Sequence, residues 1–256
     1  MKAIKLLIHQ ESANYRIPIS HGFRESYPLP PYSTVIGMVH ALCGFTEYHP
    51  MKVSVQGRYD STTSDFFTRY EFKNGMKFDS GRHQLKVGDF GVSRGIGYTQ
   101  LLINIDLMLH IIPDNQDEIT EIFEKLSHPL EFPSLGRRED IAKFESVSIV
   151  EINEEELEEG IQNAEFEKRK SWAAYIPIKL INDKAVDIEA TSSSSLYSGT
   201  EYELNKEYSL VEVGRGKSKR FERRWEKEQV LYTSQYTLDE ENNFFKDSDG
   251  DFIFPA

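Results

Sequence analysis

The segment from Leu101 to Ile112, with the sequence LLINIDLMLHII, constrains the fold of this chain more than any other stretch. Its many bulky and branched apolar residues predict a long strand inside a sheet. Asp114 then caps a predicted helix, whose apolar residues recur at helical spacing between Ile119 and Leu126 until Pro129 ends it. Because a buried strand needs hydrogen-bonded neighbours on both sides, the rest of the sequence must supply a sheet around it.

The remaining N-terminal elements supply that sheet. Strands are predicted over Lys2 to His9, Met51 to Tyr59 and Phe144 to Ile152, and a helix runs from Ser33 or Thr34 to about Leu42. The order βαββαβ predicts an α+β, ferredoxin-like domain over residues 1–152, in which two helices cover one face of a four-stranded antiparallel sheet. We expect the other face to stay free for a partner, as in RNA-recognition modules.

Two further regions lie outside this plan. The segment from about residue 60 to 99 is rich in glycine and predicts a long, mobile hairpin or loop. After an acidic boundary at Glu151 to Glu159, residues 168–256 show strand and turn patterns and predict a small, mostly antiparallel β domain. Within it, Asp247 to Asp251 resembles part of a calcium loop but lacks the glutamate that such a loop requires, so we expect a hairpin turn.

The composition excludes several classes of function. A net charge of −12 argues against indiscriminate nucleic-acid binding, so any such contact must be local. The single cysteine, Cys43, lies in an apolar stretch and is expected to pack in the core, so we expect no disulfide and no metal site. The sequence has no phosphate-binding loop, dinucleotide fingerprint or apolar run of membrane length, which predicts a cytoplasmic protein without a cofactor.

Four stretches carry a resemblance to a known family: Glu11–Arg16, Tyr27–His40, Cys43–Pro50 and Pro133–Asp140. Together they are similar to the CRISPR-associated family five of the RAMP superfamily, in its subtype I-B form. The resemblance covers most of the first 150 residues in the right order and is loose in the C-terminal third.

The resemblance implies a ferredoxin-like domain from which a β-hairpin thumb projects, at about residues 60–99, followed by a small β domain. It also implies a structural subunit of a type I Cascade surveillance complex in antiviral defence, which caps the 5′ handle of the crRNA. The implied protein partners are the first backbone subunit, from Cas family seven, and the large subunit, from Cas family eight.

RNA capture requires cations for phosphates, aromatic faces for bases, and glycines where the backbone approaches the strand. The glycine-rich segment offers this mixture, and the end of the first strand adds an aromatic residue and a cation. The candidates are Tyr15, Arg16, Arg58, Arg69, Arg82, Lys86, Arg94 and Tyr98. Composition alone also allows a disordered surface loop here, whereas the resemblance favours the thumb.

The densest basic run extends from Gly214 to Lys227 and holds seven Lys or Arg against two Glu. Such a run is usually a solvated face, but its interleaved aromatic residues and paired glycines favour a flexible loop that grips a nucleic-acid strand. The candidates are Arg215, Lys217, Lys219, Arg220, Arg223, Arg224 and Trp225. The sequence leaves open whether they contact the guide RNA or the target DNA.

Arg137 and Arg138 form a further candidate pair, because two adjacent guanidinium groups can clamp phosphates. Glu139 and Asp140 follow directly and could instead pair with these cations. Both interpretations stay open at this point.

We expect a binding protein rather than an enzyme. The alternative is a metal-independent endoribonuclease that processes CRISPR repeat RNA, as some relatives of subtype I-C do. Such cleavage needs a general base, and the candidate is His83, next to Arg82, because His40 and His110 lie in apolar elements and are expected in the core. The same resemblance assigns repeat cleavage in subtype I-B systems to a separate family-six endonuclease.

Overall fold

The computed structural model describes residues 1–20, 22–156, 172–183, 186–187, 198–214, 216, 219–238 and 243–256. The α-helices of this part are α1 (Tyr32–Cys43), α2 (Ile119–Ser127) and α3 (Ile178–Asn182). Its strands are β1 (Lys2–Ala13), β2 (Phe23–Arg24), β3 (Met51–Glu71), β4 (Leu85–Val87), β5 (Phe90–Pro113), β6 (Lys143–Glu156), β7 (Ala173–Pro177), β8 (Val186–Asp187), β9 (Thr200–Val213), β10 (Arg220–Thr233), β11 (Thr237–Leu238), β12 (Asn243–Asp247) and β13 (Phe252–Ile253).

The centre of the molecule is an antiparallel group of four strands in the order β6-β1-β5-β3. In β1, Leu6 lies opposite Leu109 on one side and Val147 on the other. The strands and helices predicted for the N-terminal part are all present. β3 and β5 are much longer than predicted, because both continue far beyond the body of the sheet.

Both long helices pack on one face of this group. α1 ends at Gly44, whose φ of 72° is the left-handed conformation that glycine adopts without strain. Ile122 and Leu126 of α2 are fully buried and join Leu6 in the main hydrophobic core. Cys43 is buried as predicted, and burial raises the pKa of its thiol to about 11.

The sheet continues on both sides of the central group. β3 pairs with β7 at Gln56 and Gly57, β7 pairs with β10 and β10 with β9, whereas β12 pairs with β6 at the other side. Eleven of the described strands thus belong to one mostly antiparallel sheet, and β8 and β11 form a separate pair. Strands from residues 168–256 therefore extend the N-terminal sheet, and the division into two domains stays a prediction.

Part of the second face of the central strands is covered, so the expectation that this face stays free is wrong there. The Phe254 N–H donates to Ser54 Oγ on this face at 3.0 Å. Val53 and Ala256 exchange two backbone hydrogen bonds of 3.1 and 3.2 Å, which hold the last residue beside the edge of β3. The hairpin of β12 and β13 covers Lys5, which is 4% exposed. The C-terminal residues thus occupy the place that a partner would take.

A buried charge cluster anchors this hairpin. Lys5 Nζ lies 2.8 Å from Asp247, 2.9 Å from Asp249 and 2.5 Å from Asp251, and His110 Nε2 lies 3.0 Å from Asp247 Oδ2. Burial alone would raise the pKa of Asp247, but hydrogen bonds with His110 and Lys5 hold it well below its usual range. Because the Asp251 N–H also donates to Asp247 Oδ1, the segment forms the predicted hairpin turn.

Candidate nucleic-acid interface

Beyond the body of the sheet, β3 and β5 continue as a two-stranded ribbon. Their pairing runs out to Glu71 opposite Ser93, whereas β1 accompanies β5 only as far as Leu102. We define residues 61–99 as the first ribbon. The glycine-rich segment is therefore an extended hairpin, one of the two forms predicted for it.

One face of the first ribbon is an exposed row of aromatic and apolar side chains. Phe66 lies opposite Tyr98, Thr68 opposite Ile96, and Tyr70 opposite Arg94, and residues directly opposite each other in a sheet share a face. Phe66 is 69% exposed and Tyr98 49%. The face therefore offers flat rings to an unpaired base, with a cation at its outer end.

The opposite face of the first ribbon is packed. The ring of Phe67 lies over Gly97, where an added Cβ would come within 2.7 Å of the ring, so this position requires glycine. The guanidinium carbon of Arg24 lies 4.8 Å from the centre of the same ring, within cation–π range. Arg24 adds a cation that the sequence did not single out.

The predicted cations of the first ribbon have different surroundings. Arg69 Nη2 lies 2.7 Å from Glu71, so a neighbouring carboxylate compensates its charge. Lys86 Nζ lies 5.4 Å from the centre of the Phe78 ring. Arg82 and Arg94 are exposed, and no carboxylate of the described chain pairs with either of them.

His83, the candidate general base, is a buried residue of the first ribbon. It is 8% exposed, and its Nδ1 accepts a hydrogen bond from the Asp79 N–H at 2.9 Å. The ring packs so closely on Gly91 that an added Cβ would come within 2.1 Å of it. These contacts give His83 a role in holding the end of the ribbon together.

At the base of the first ribbon, Arg58 is engaged in an ion pair. Its Nε and Nη2 lie 3.1 and 2.9 Å from Asp106 Oδ2, and His9 Nδ1 lies 2.9 Å from Oδ1 of the same carboxylate. Burial alone would raise the pKa of Asp106, but these hydrogen bonds lower it. Asp106 therefore partly compensates the positive charge of Arg58 before any ligand binds.

For the arginine pair, the structure separates the two side chains. Arg137 Nη2 lies 2.6 Å from Asp140 Oδ1 and its Nη1 lies 3.2 Å from Glu139, so the ion-pair interpretation applies to Arg137. The Asn14 N–H donates to the same Asp140, which ties this loop to the end of β1. Arg138 is exposed and remains available to a ligand.

Tyr15 and Arg16 are also separated. Tyr15 is 1% exposed and its hydroxyl donates to Gln10 Oε1 at 2.6 Å, so it is a core residue rather than part of an RNA-facing surface. Arg16, the next residue, is exposed. On an extended segment, successive side chains point to opposite sides. Because Tyr15 points into the core, Arg16 points outward.

The predicted basic loop is largely a second ribbon. Arg220 to Lys227 lie in β10 and pair with β9, whereas β7 accompanies β10 only from Val230 onward. We define residues 205–214 and 219–227 as the second ribbon; Arg215 and Lys217 of the prediction lie outside the described residues. The prediction of a flexible loop is therefore wrong for Arg220 to Trp225, because regular pairing with β9 fixes their backbone.

Side chains of the second ribbon form both ion pairs and ring contacts. Lys219 Nζ lies 2.5 Å from Glu212, and Arg220 Nη2 lies 2.6 Å from Glu222. The guanidinium carbon of Arg223 lies 4.4 Å from the centre of the Tyr208 ring. The Tyr208 ring lies 5.2 Å from the ring of Trp225, which is partly buried.

Sequence reasoning missed several ring positions of both ribbons. On the first ribbon these are Phe66 and Tyr70, whose spacing is compatible with one face of a strand, but the surrounding glycines favoured a loop. Tyr208 gave no comparable signal, because its position next to Trp225 depends on the register between β9 and β10.

Among the described residues, no group of three or more His, Cys, Asp or Glu side chains could hold a metal ion. The helices of the same residues are too short or too polar to cross a membrane.

Comparison with known proteins gives one family and a shared fold. Residues 3–194 match the sequence model of a family described as CRISPR-associated protein (Cas_Cas5). No curated protein sequence matches the chain. A chain of a solved "CRISPR RNA-guided surveillance complex" is 15% identical, with a TM-score of 0.50 over 92% of this chain and 91% of that one. A CRISPR protein from Archaeoglobus fulgidus is 9% identical, with a TM-score of 0.43 over 99% and 98% of the two chains.

Proposed function

Because the chain belongs to the CRISPR-associated Cas5 family, we propose that it is a structural subunit of a type I Cascade complex that caps the 5′ handle of the crRNA. Its fold is shared with a chain of a CRISPR surveillance complex, which supports a role in such an assembly. The subtype I-B form and the contacts with the first backbone subunit and the large subunit are part of this proposal and follow from the family resemblance.

We infer that the central strands form a ferredoxin-like unit. The order β6-β1-β5-β3, with α1 and α2 on one face, is the arrangement expected for that fold. The first ribbon then corresponds to the thumb, since it is the long hairpin between the second and third strands of this unit.

The aromatic face of the first ribbon is the observation that carries the proposal. A contiguous row of exposed rings is uncommon on a free protein surface, and such rings stack on bases that a single strand presents. Arg94 lies on this face, and Arg82 is exposed near the end of the ribbon. The combination suits a short strand whose bases are splayed apart and whose phosphates need cations.

The charge distribution supports recognition of one terminus rather than of nucleic acid in general. The chain as a whole carries −12, so its long-range field repels phosphates. Cations without a carboxylate partner in the described part include Arg16, Arg82, Arg94 and Arg138. A strand is therefore retained only where these cations and the exposed rings act together.

The endoribonuclease alternative has less support. A general base must reach the hydroxyl that it deprotonates, and His83 is buried with Nδ1 already accepting a hydrogen bond. We therefore propose binding without cleavage.

The test is binding of a fluorescently labelled 5′-handle RNA to the full chain, with EDTA present. We expect intact RNA and tight binding, with the Kd raised about fivefold or more by Phe66→Ala, because one base–ring stack is lost. Phe132→Ala is the matched control, since Phe132 is 88% exposed and lies in the loop after α2, outside both ribbons.

Two results would contradict the proposal. Equal Kd values for the Phe66→Ala variant and the wild type would exclude base stacking on the first ribbon. Site-specific cleavage that disappears in His83→Ala would favour the endoribonuclease instead.

A further inference from the structure

The second ribbon has two chemically different faces. The register places Tyr208 opposite Trp225, Leu210 opposite Arg223, and Glu212 opposite Phe221, so these six side chains share one face. We call it the stacking face. The other face carries Arg224, Glu222 and Arg220, which lie opposite small or aliphatic residues of β9.

The stacking face combines three rings, the Leu210 side chain and one guanidinium group with Glu212, whose carboxylate pairs with Lys219. Arg223 lies over the ring of Tyr208, which in turn contacts Trp225 at 5.2 Å with an angle of 62° between the ring planes. Phe221 is 70% exposed and Leu210 61%, so the surface continues toward the tip of the ribbon without cover. Side chains that are already ordered against each other lose little further freedom when a planar ligand binds.

The charges of the second ribbon favour an anionic ligand. The carboxylates of Glu212, Glu222 and Glu203 lie within 2.6 Å of Lys219, Arg220 and Lys227, respectively. Arg223 and Arg224, by contrast, have no carboxylate partner within the described ranges. Lys206 also forms no ion pair there, and neither do Glu207 and Glu226, which lie opposite each other on the other face. On the stacking face, Glu212 is compensated by Lys219, so Arg223 is the cation that remains for an anionic ligand.

A nucleic acid matches the chemistry of the stacking face better than an apolar protein surface would. Burying Arg223 against apolar side chains would desolvate its charge without a partner. A single strand supplies flat bases for the rings and a phosphate for the guanidinium at the same time.

We propose that the stacking face of the second ribbon binds unpaired bases of a single-stranded nucleic acid, independently of the first ribbon. This goes beyond capping of the 5′ handle, because the two ribbons lie at different strands of the sheet and would hold different segments. The proposal concerns the bases and phosphates that RNA and DNA share, and the experiment separates the two sources.

The experiment uses the emission of Trp225 as a local probe. Phe replaces Trp172, the other tryptophan of the chain, and the full-length Trp172→Phe protein is titrated with oligo(U) or oligo(dT). We expect a stacked base to quench Trp225. Anisotropy of a labelled oligonucleotide with wild-type protein gives a second measurement that does not depend on the Trp172 substitution.

Two adjacent arginines provide a matched pair of variants. Arg223→Ala and Arg224→Ala each remove one positive charge, but Arg224 lies on the other face of the ribbon, so we expect only Arg223→Ala to reduce the salt dependence of binding. Only Arg223→Ala also removes a stacking group, and we expect it to raise the oligonucleotide Kd at least about fivefold relative to Arg224→Ala. Tyr208→Ala should have an effect similar to that of Arg223→Ala.

The outcomes separate this inference from handle binding. Phe66→Ala should weaken handle binding and leave the quenching of Trp225 unchanged. A stronger response to oligo(U) would indicate RNA as the source and a stronger response to oligo(dT) would indicate DNA; either supports the proposal. The proposal is overturned if neither oligonucleotide changes the Trp225 emission or the anisotropy. It is also overturned if the two arginine variants bind equally well. Absence of binding would indicate that the stacking face contacts a protein partner instead.

Discussion

Lys5 is the residue on which the C-terminal hairpin depends most directly, because it supplies a cation to three carboxylates that close over it. Replacing Lys5 by Met leaves the buried Asp247 carboxylate with hydrogen bonds from His110 and the Asp251 N–H but without its lysine, so we expect the free energy of unfolding to fall by about 3–5 kcal/mol, measured by urea denaturation. Lys143→Met is the control: Lys143 pairs with Glu145 at 2.7 Å but is 70% exposed, and we expect a change below about 1 kcal/mol. Similar losses in both variants would contradict an anchoring role.

His110 should make the stability depend on pH. Burial lowers its pKa, although Asp247 acts in the opposite direction. The unfolded chain then takes up a proton that the folded one resists, so the free energy of unfolding falls as the pH drops below about 6.5. We expect a smaller fall in His110→Gln, whose amide can still donate to Asp247. Urea denaturation at about pH 7.5 and about pH 5.5 measures it, and parallel profiles for the two proteins would contradict it.

The position of His110 in the core could be predicted from the apolar strand around it, but its partner could not. Asp247 is 137 residues away in the sequence, and no local pattern indicates that a turn of three aspartates will meet a buried lysine. Arg137 is the opposite case, since its partner Asp140 is three residues away and the sequence contained both alternatives.

Among the secondary-structure elements, the first ribbon owes part of its stability to a side chain of one strand that packs closely on a glycine of the other. Gly97→Ala would place a Cβ within 2.7 Å of Phe67, whereas Gly95→Ala meets nothing within 4 Å. We expect Gly97→Ala to lower the hydrogen-exchange protection of the ribbon and to weaken handle binding, while the unfolding midpoint of the body changes little. Gly95→Ala should resemble the wild type, and equal protection in both variants would contradict a packed face.

The ribbons show where sequence reasoning about elements reaches its limit. The many glycines between residues 75 and 97 favoured a mobile loop, yet some of them serve close packing, with Phe67 on Gly97 and His83 on Gly91. The charged run around Arg223 also predicts a loop, because two glycines, Gly214 and Gly216, precede it. Its strand character comes from pairing with β9, and strand pairing is a property of tertiary structure that local propensity indicates only weakly.

For the molecule as a whole, Phe254 joins the C-terminal hairpin to the interior strands of the sheet. It is 1% exposed, and its backbone N–H donates to Ser54 of β3. We expect Phe254→Ala to lower the free energy of unfolding by about 3–5 kcal/mol in urea denaturation, because a large buried ring is lost. Phe132→Ala, at 88% exposure, should change it by less than about 0.5 kcal/mol; a comparable loss there would contradict this assignment.

The order of the central elements could be read from periodicity, because each strand and helix carries its own pattern of apolar residues. The path of residues 243–256 could not, since β12 pairs with β6 and the last residue with β3, and both contacts join distant parts of the chain. The covered face follows from these two long-range contacts.

β9 forms one end of the large sheet, and in the described part of the chain no further strand pairs with its outer side. An open strand of this length is a template on which a second copy could polymerise. β9 carries four glutamates and one lysine. Lys227 and Lys219 pair with Glu203 and Glu212, whereas Glu201 and Glu207 form no ion pair in the described part, so these two carboxylates would repel those of a second copy brought edge to edge. We expect this repulsion to keep crowded copies of the protein from joining into fibres.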